Sequence, residues 1–200
     1  MTFHPVLPQQ ILNQEAIWDK SKTILSKTDA NGTIIYMNDT FEKVSEYLKI
    51  ELLGESHHIL KHPDMPKVIL RELQKNLEKG KNFNAVLKNI TRSGKYYWVV
   101  TDFITEKNNE GKITGYQCIR KSVSNTVINQ IEPFYKKLLA IESTQGKVAS
   151  QTFFNSYLKN EIGKTYNEYV NDLLRKEQPK QYLRKESNWF PLKYIKSYCN

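Results

Sequence analysis

The sequence predicts an α+β fold up to Val123 and helices beyond it, and three observations carry that expectation. Two short β-branched runs flank an Asn-Gly turn near the start of the chain. Three longer alternating runs, joined by turn residues, begin at Phe83, where the apolar period switches from helical to two. Past Val123 the helical rhythm returns and stays.

The first pair is "TILSKT" (23–28) and "TIIYM" (33–37), with Asn31-Gly32 as the hairpin signal between them. "NDTFEKVSEYL" then opens on Asn38 and Asp39 as candidate N-caps and repeats Phe41, Val44, Tyr47 and Leu48 at helical spacing. "KIELLGE" adds a turn that Gly54 closes. After "HHILKHPDMP" comes "PKVILRELQKNLEKG", predicted as a helix over 65–79 with Ile69, Leu73 and Leu77 on one face and Gly80 as the stop. "FNAVLKNIT" (83–91), "KYYWVVTDFIT" (95–105) and "KITGYQCIRKSV" (112–123) form a three-strand meander turned by "RSG" and "KNNEG". "NTVINQIEPFYKKLLAIES" reads as a helix kinked at Pro133 and broken at Gly146. A second helical run follows, striped by Phe154, Leu158, Ile162, Tyr166, Val170 and Leu173, and that stripe must bury against the first domain or another chain. The stretch "QPKQYLRKESNWFPLKYIKSYCN" is basic and aromatic without a period.

The 39% hydrophobic and 26% charged residues fit a soluble globular protein, and no run approaches a membrane span. The N-terminus lacks the basic start and apolar core of a signal peptide. Cys118 and Cys199 make no disulfide framework, so the cytoplasm is the expected compartment. The net charge of +9 is spread thinly: 18 basic and 14 acidic side chains up to Ser124, 12 and 7 beyond. No like-charge run forms a nucleic-acid stripe. No phosphate-binding loop, dinucleotide fingerprint or nucleophile elbow is present, so no enzyme is expected.

"HHILKHPDMP" concentrates the chemistry. A metal reading would pair His57 or His58 with His62 on one helix face, but Pro63 biases His62 away from helix. Asp64 as N-cap of the following helix, with Pro66 in its first turn, accounts for "PDMP" by itself. Free N–H groups at that helix start would also suit an anion, and Lys61 and His62 would add charge and donors beside it.

"DANGTIIYMNDTF", "ELLGESHHILKHPDMP", "VLKNITRSGKYYWV" and "GYQCIRKSV", in this order and spacing, resemble a PAS domain of the bacterial aerotaxis-receptor type. "IEPFYKKL" extends the likeness, which covers residues 20 to about 140. The resemblance implies a PAS fold, a five-stranded antiparallel sheet with short helices on one face, followed here by a helical C-terminal extension. It divides the chain into an N-terminal cap segment (1–22), a sensory domain (23–123) and the extension (124–200). It implies noncovalent FAD, with Asn38, Lys61, His62, Asp64, Phe83 and Asn89 as flavin-associated positions and haem b as the alternative cofactor. Lys61 stands where the family has Arg, losing bidentate phosphate contact, and Phe83 where it has Trp, losing an N–H donor. Cys118 lies on the last strand rather than in the Asn-Cys-Arg helix of light sensors, so no photo-adduct is expected.

The implied function is redox or energy sensing for chemotaxis by a PAS-only subunit. Its output would be contact with a membrane-bound chemotaxis receptor or other signalling protein, which could hold it at the inner membrane; a homodimer remains open. The alternatives are an adaptor binding a small metabolite or no cofactor, and a haem gas sensor. For output, Ile128, Ile131, Tyr135, Leu138 and Leu139 form an apolar stripe with Pro133 as hinge, unless that helix packs permanently on its own sheet.

Overall fold

Asn31 and Gly32 turn the chain between β1 (Ile24–Asp29) and β2 (Ile34–Met37). The Asp29 carboxylate fixes the turn by accepting the Asn31 and Thr33 N–H groups at 2.9 Å each. The computed structural model describes residues 7–176; Cys199 and the basic aromatic stretch lie outside the described residues. With β3 (Phe83–Ile90), β4 (Tyr96–Lys107) and β5 (Ile113–Ser122), the strands build one antiparallel sheet in the order β2-β1-β5-β4-β3. Between β2 and β3 run α1 (Asp39–Ser45), α2 (Lys49–Leu52), a 3₁₀ turn (His57–Leu60) and α3 (Lys67–Glu78).

Strand alternation and register sort the sheet into two faces. Thr101 pairs with both Ala85 and Arg120, and Ser26 with Cys118, so these residues share the inner face, which α1 and the 3₁₀ turn cover. Val86, Lys88, Trp98 and Val100 alternate onto the outer face.

The extension occupies the outer face and the β3 edge. In α4 (Asn125–Tyr157), Val127, Ile131 and Leu138 are fully buried, and Tyr135 stacks on Trp98 at 6.3 Å. The stripe expected to signal is therefore docked on its own sheet. Pro133 stays inside α4 without disturbing its dihedrals; the helix breaks at Gly146, at φ 83° and ψ 177°. Only glycine enters that region without strain. The second half of α4 returns along α3, with Gln151 bonded to Glu72 and Arg71.

The run expected as one helix from 148 to 176 is interrupted. A π turn (Leu158–Ile162) ends on left-handed Gly163, and α5 (Tyr166–Lys176) begins a new axis. Its buried Tyr166, Val170 and Leu173 face the first domain. Together these helices seal β3, whose outward backbone groups would otherwise invite another strand. The Asn84 N–H donates to Asn167 Oδ1 at 2.7 Å, and the Val86 carbonyl accepts the Tyr135 hydroxyl at 2.7 Å.

The N-terminal segment closes a gap on β4 where β5 ends, with Tyr96 N–H donating to the Gln14 carbonyl at 2.9 Å and Ala16 N–H to that of Tyr96 at 2.7 Å. Gly94 permits this approach: at its φ of +87°, a Cβ would lie 1.9 Å from the Gln10 carbonyl oxygen.

Candidate functional site

The inner face carries polar groups where a sheet of this size ordinarily buries only apolar side chains. Arg120, fully buried on the central strand β5, donates through Nη1 to Ser26 Oγ at 3.0 Å and through Nη2 to His57 Nε2. Its guanidinium lies 5.3 Å from the centre of the Phe41 ring, which also stacks on the His57 imidazole. An arginine side chain does not deprotonate in a protein. Among the described residues no carboxylate pairs with it, so the charge is held by neutral groups alone.

Five buried polar atoms on this face make no hydrogen bond of normal geometry: Thr105 Oγ1 farther along β4, and Arg120 Nε, Tyr97 Oη, Asn89 Nδ2 and Thr101 Oγ1. Apart from Thr105 they form two neighbouring pairs on three adjacent strands, Asn89 beside Tyr97 and Thr101 beside Arg120, and the Arg120 charge is felt at the Tyr97 hydroxyl. Leaving such groups unsatisfied costs about 1–3 kcal/mol each. Burial pushes the Tyr97 hydroxyl up to about 12, while the Arg120 charge and the neighbouring Asn89 pull the other way. Burial, then the Arg120 charge and His58, hold the His57 imidazole well below its usual value, so it is neutral and its Nε2 accepts from Arg120. The group is a dry, cationic, donor-rich patch. It suits a flat, acceptor-rich ring with some negative character, and the ring edge of a flavin fits that description.

The six positions implied by resemblance do not gather there as one set. Asn89 does face inward, with an unpaired amide nitrogen, and its backbone is bridged to Lys61. Phe83 shares the inner face but lies at the far end of β3, stacked on Tyr166 at 5.7 Å beside an open cleft of about 740 Å³. Asn38 is committed to the scaffold: its Oδ1 accepts the Leu25 and Phe41 N–H groups at 3.0 and 3.1 Å, and its Nδ2 donates to the Thr23 carbonyl at 2.9 Å.

His62 and Asp64 turn to the outer side of the β3 edge, around Lys88. The Lys88 ammonium meets the Asp64 carboxylate at 2.6 Å and lies 4.5 Å from the centre of the Tyr96 ring. The His62 ring stands edge-on to Tyr96. Burial and then Lys88 lower His62 to about 4, against the pull of Asp64, so His62 adds no positive charge at neutral pH. Burial works to raise the Asp64 carboxyl, but Lys88 prevails and holds it below its usual value.

Asp64 is also not the cap of α3. The helix starts at Lys67 behind Pro66, which offers no side-chain cap. The cap comes from 75 residues downstream: Glu142 on α4 accepts the Lys67 N–H at Oε2 and the Val68 N–H at Oε1, both at 3.1 Å. The three histidines form no common face: His57 turns inward, His58 is exposed against Ser56, and His62 lies at the edge. Among the described residues, no three His, Cys, Asp or Glu side chains cluster as a metal would require. Among them, too, no helix is long and apolar enough to cross a membrane.

Sequence reasoning missed Arg120, Tyr97, Thr101 and Glu142. The first three left a signal, since each is a polar residue at an inward position of an alternating strand. Glu142 left none.

Comparison with known proteins agrees with the topology. The family model for the PAS fold matches residues 34–120. The chain is 37% identical to the aerotaxis receptor of Escherichia coli over 140 residues, 70% of this chain and 27% of that protein. It is 28% identical to the bacterioopsin transcriptional activator of Halobacterium salinarum over 126 residues, 63% of this chain and 18% of that protein. The chain thus spans about a quarter or less of the length of these relatives. Among solved structures, a light-oxygen-voltage domain studied with a flavin analogue is 21% identical, with a TM-score of 0.49, over 62% of this chain and 90% of that one. The chain has the PAS fold, one five-stranded antiparallel sheet with short helices between β2 and β3, to which a helical C-terminal extension is joined.

Proposed function

We propose that this chain is a redox or energy sensor that holds FAD noncovalently against the inner face of its sheet and signals by contact with a chemotaxis receptor or another protein. The observation that carries the reading is the unpaired inner-face group: a buried arginine without a carboxylate, and three further polar atoms awaiting partners. The 37% identity with an aerotaxis receptor supports the same class of ligand and signal. A bound flavin would supply reversible electron uptake.

The chain's own residues do the rest. Arg120, Asn89, Tyr97 and Thr101 offer donors to the ring's carbonyl and nitrogen edge, while Phe41 contributes an apolar surface next to Arg120. Lys61, whose backbone is bridged to Asn89, would add a positive charge for the phosphates of a bound FAD. His57 holds the guanidinium in place and remains neutral. This engagement favours flavin over haem, because the inward histidine's Nε2 already accepts from Arg120 and has no lone pair left for iron. The protein works from the cytoplasm, reaching the membrane through its receptor, and carries out no turnover of its own. Steady-state NADH oxidation by the purified protein should stay at background.

The test is FAD titration followed by fluorescence quenching. Arg120→Met and Asn89→Leu should each weaken FAD at least about tenfold, the scale of a lost charged or buried hydrogen bond, with circular dichroism unchanged. Wild-type affinity in both variants would end the reading, as would failure of the wild-type protein to bind FAD at all.

A further inference from the structure

The open cleft beside Phe83 lies where the extension meets the first domain, between the π turn and α5 on one side and the start of β3 on the other. Its volume of about 740 Å³ is that of a small-molecule site, and such sites favour the seams between structural units. The cleft exists because the helical stripe is broken. The Gly163 and Lys164 N–H groups both return to the Leu158 carbonyl, and α5 leaves on a new axis. π turns of this kind recur at functional sites. The floor is apolar: Phe83, Phe154, Leu158 and Tyr166 are buried, with Tyr166 stacked on Phe83 and its ring centre 6.0 Å from that of Phe154.

The rim supplies donors. Asn82 Oδ1 accepts the Thr105 N–H at 3.1 Å, Asn167 Oδ1 the Asn84 N–H at 2.7 Å, and Asn155 Oδ1 the Gln151 side-chain amide at 3.3 Å. With their oxygens committed, these asparagines keep their amino groups free of protein partners among the described residues. Lys81 and Lys159, exposed on the same rim, pair with no carboxylate among the described residues. The two carboxylates of the rim are engaged: Glu72 with Lys75 and Gln151, Glu168 with Thr165 at the start of α5. We propose that this cleft is a second ligand site for a small organic anion, whose flat or aliphatic body lies on the floor and whose carboxylate or phosphate is met by Lys81, Lys159 and the asparagine amides. None of the residues proposed above to hold flavin lines it, so the site stands whether or not flavin binds.

The test titrates the full chain with adenosine monophosphate and with indole-3-acetate, each beside its neutral counterpart, adenosine and indole-3-acetamide, while backbone amide NMR signals are followed. At least one anion should shift the Asn82, Lys159 and Asn167 signals saturably, with a Kd below about 1 mM, and its neutral counterpart should bind at least about tenfold more weakly. Which anion binds distinguishes phosphate from carboxylate. Replacing both lysines, Lys81→Gln with Lys159→Gln, should weaken the anion roughly tenfold, about threefold for each exposed charge. Arg120→Met, on the inner face, should leave that affinity unchanged. The proposal is overturned if neither anion shifts these amides saturably, or if the neutral counterparts bind equally well. Loss of the shifts in Arg120→Met, or their full retention in the double lysine variant, would overturn it too.

Discussion

Arg120 sets the energetic character of the interior. A buried cation loses several kcal/mol of hydration, and neutral partners return only part of it. Replacing it with Met should therefore leave the ligand-free protein as stable as before or more so, and abolish the stabilisation that added FAD gives. Thermal midpoints with and without FAD check this; a large loss in the ligand-free state would mean that Arg120 serves the fold. The titrating residues give a second outcome. His62 refuses, down to about pH 4, a proton that the unfolded imidazole accepts near 6.5. Its contribution to stability is thus present above 6.5 and fades as pH falls from there toward 4. Asp102 runs the other way: burial raises its carboxyl to about 6 against the pull of Lys121, so the folded form keeps a proton that the unfolded form has released. Its contribution fades as pH rises from about 4 to 6. His62→Gln should accordingly flatten, and Asp102→Asn steepen, the rise in urea midpoint between about pH 5 and pH 7.

At the scale of elements, the strands and short helices follow from local rules, and the sequence read them closely. Asn31-Gly32 made the hairpin, Asn38 capped α1, and the alternation from Phe83 onward gave the meander. The candidate site was less legible because its parts meet through register. Asn89 was found from its motif, whereas Arg120 and Thr101 come together only when β4 and β5 are paired. Asp64 matched the local grammar of a cap and was displaced by Glu142, a contact that no window of sequence contains. The Leu158 π turn likewise broke a stripe that continued in the sequence. Two substitutions probe these elements. Gly146→Ala meets no neighbour within 4 Å, so its cost is backbone strain alone. That cost is about 2 kcal/mol, or a fall of roughly 4–8 °C in Tm. Ile131→Asp puts a carboxylate at a fully buried position of α4 and should cost on the order of 4 kcal/mol, with loss of soluble protein. A folded Ile131→Asp protein that merely lost partner binding would restore the stripe as an output surface.

For the whole molecule, the extension completes the PAS fold. It covers Trp98 on the outer face, satisfies β3 backbone groups and caps α3 from a distance. Removing residues after Val123 should leave an exposed apolar face and an open edge, and the product should aggregate on size-exclusion chromatography; a monomeric truncation of undiminished stability would contradict this. The proposed function depends on the inner face being a flavin site, and the visible spectrum of the purified protein tests that most directly. A flavin held as proposed would give bands at ~450 nm, lost to the filtrate on denaturation because no covalent bond would retain it. A Soret band near ~400 nm, or a blank spectrum that persists after incubation with FAD, would contradict it.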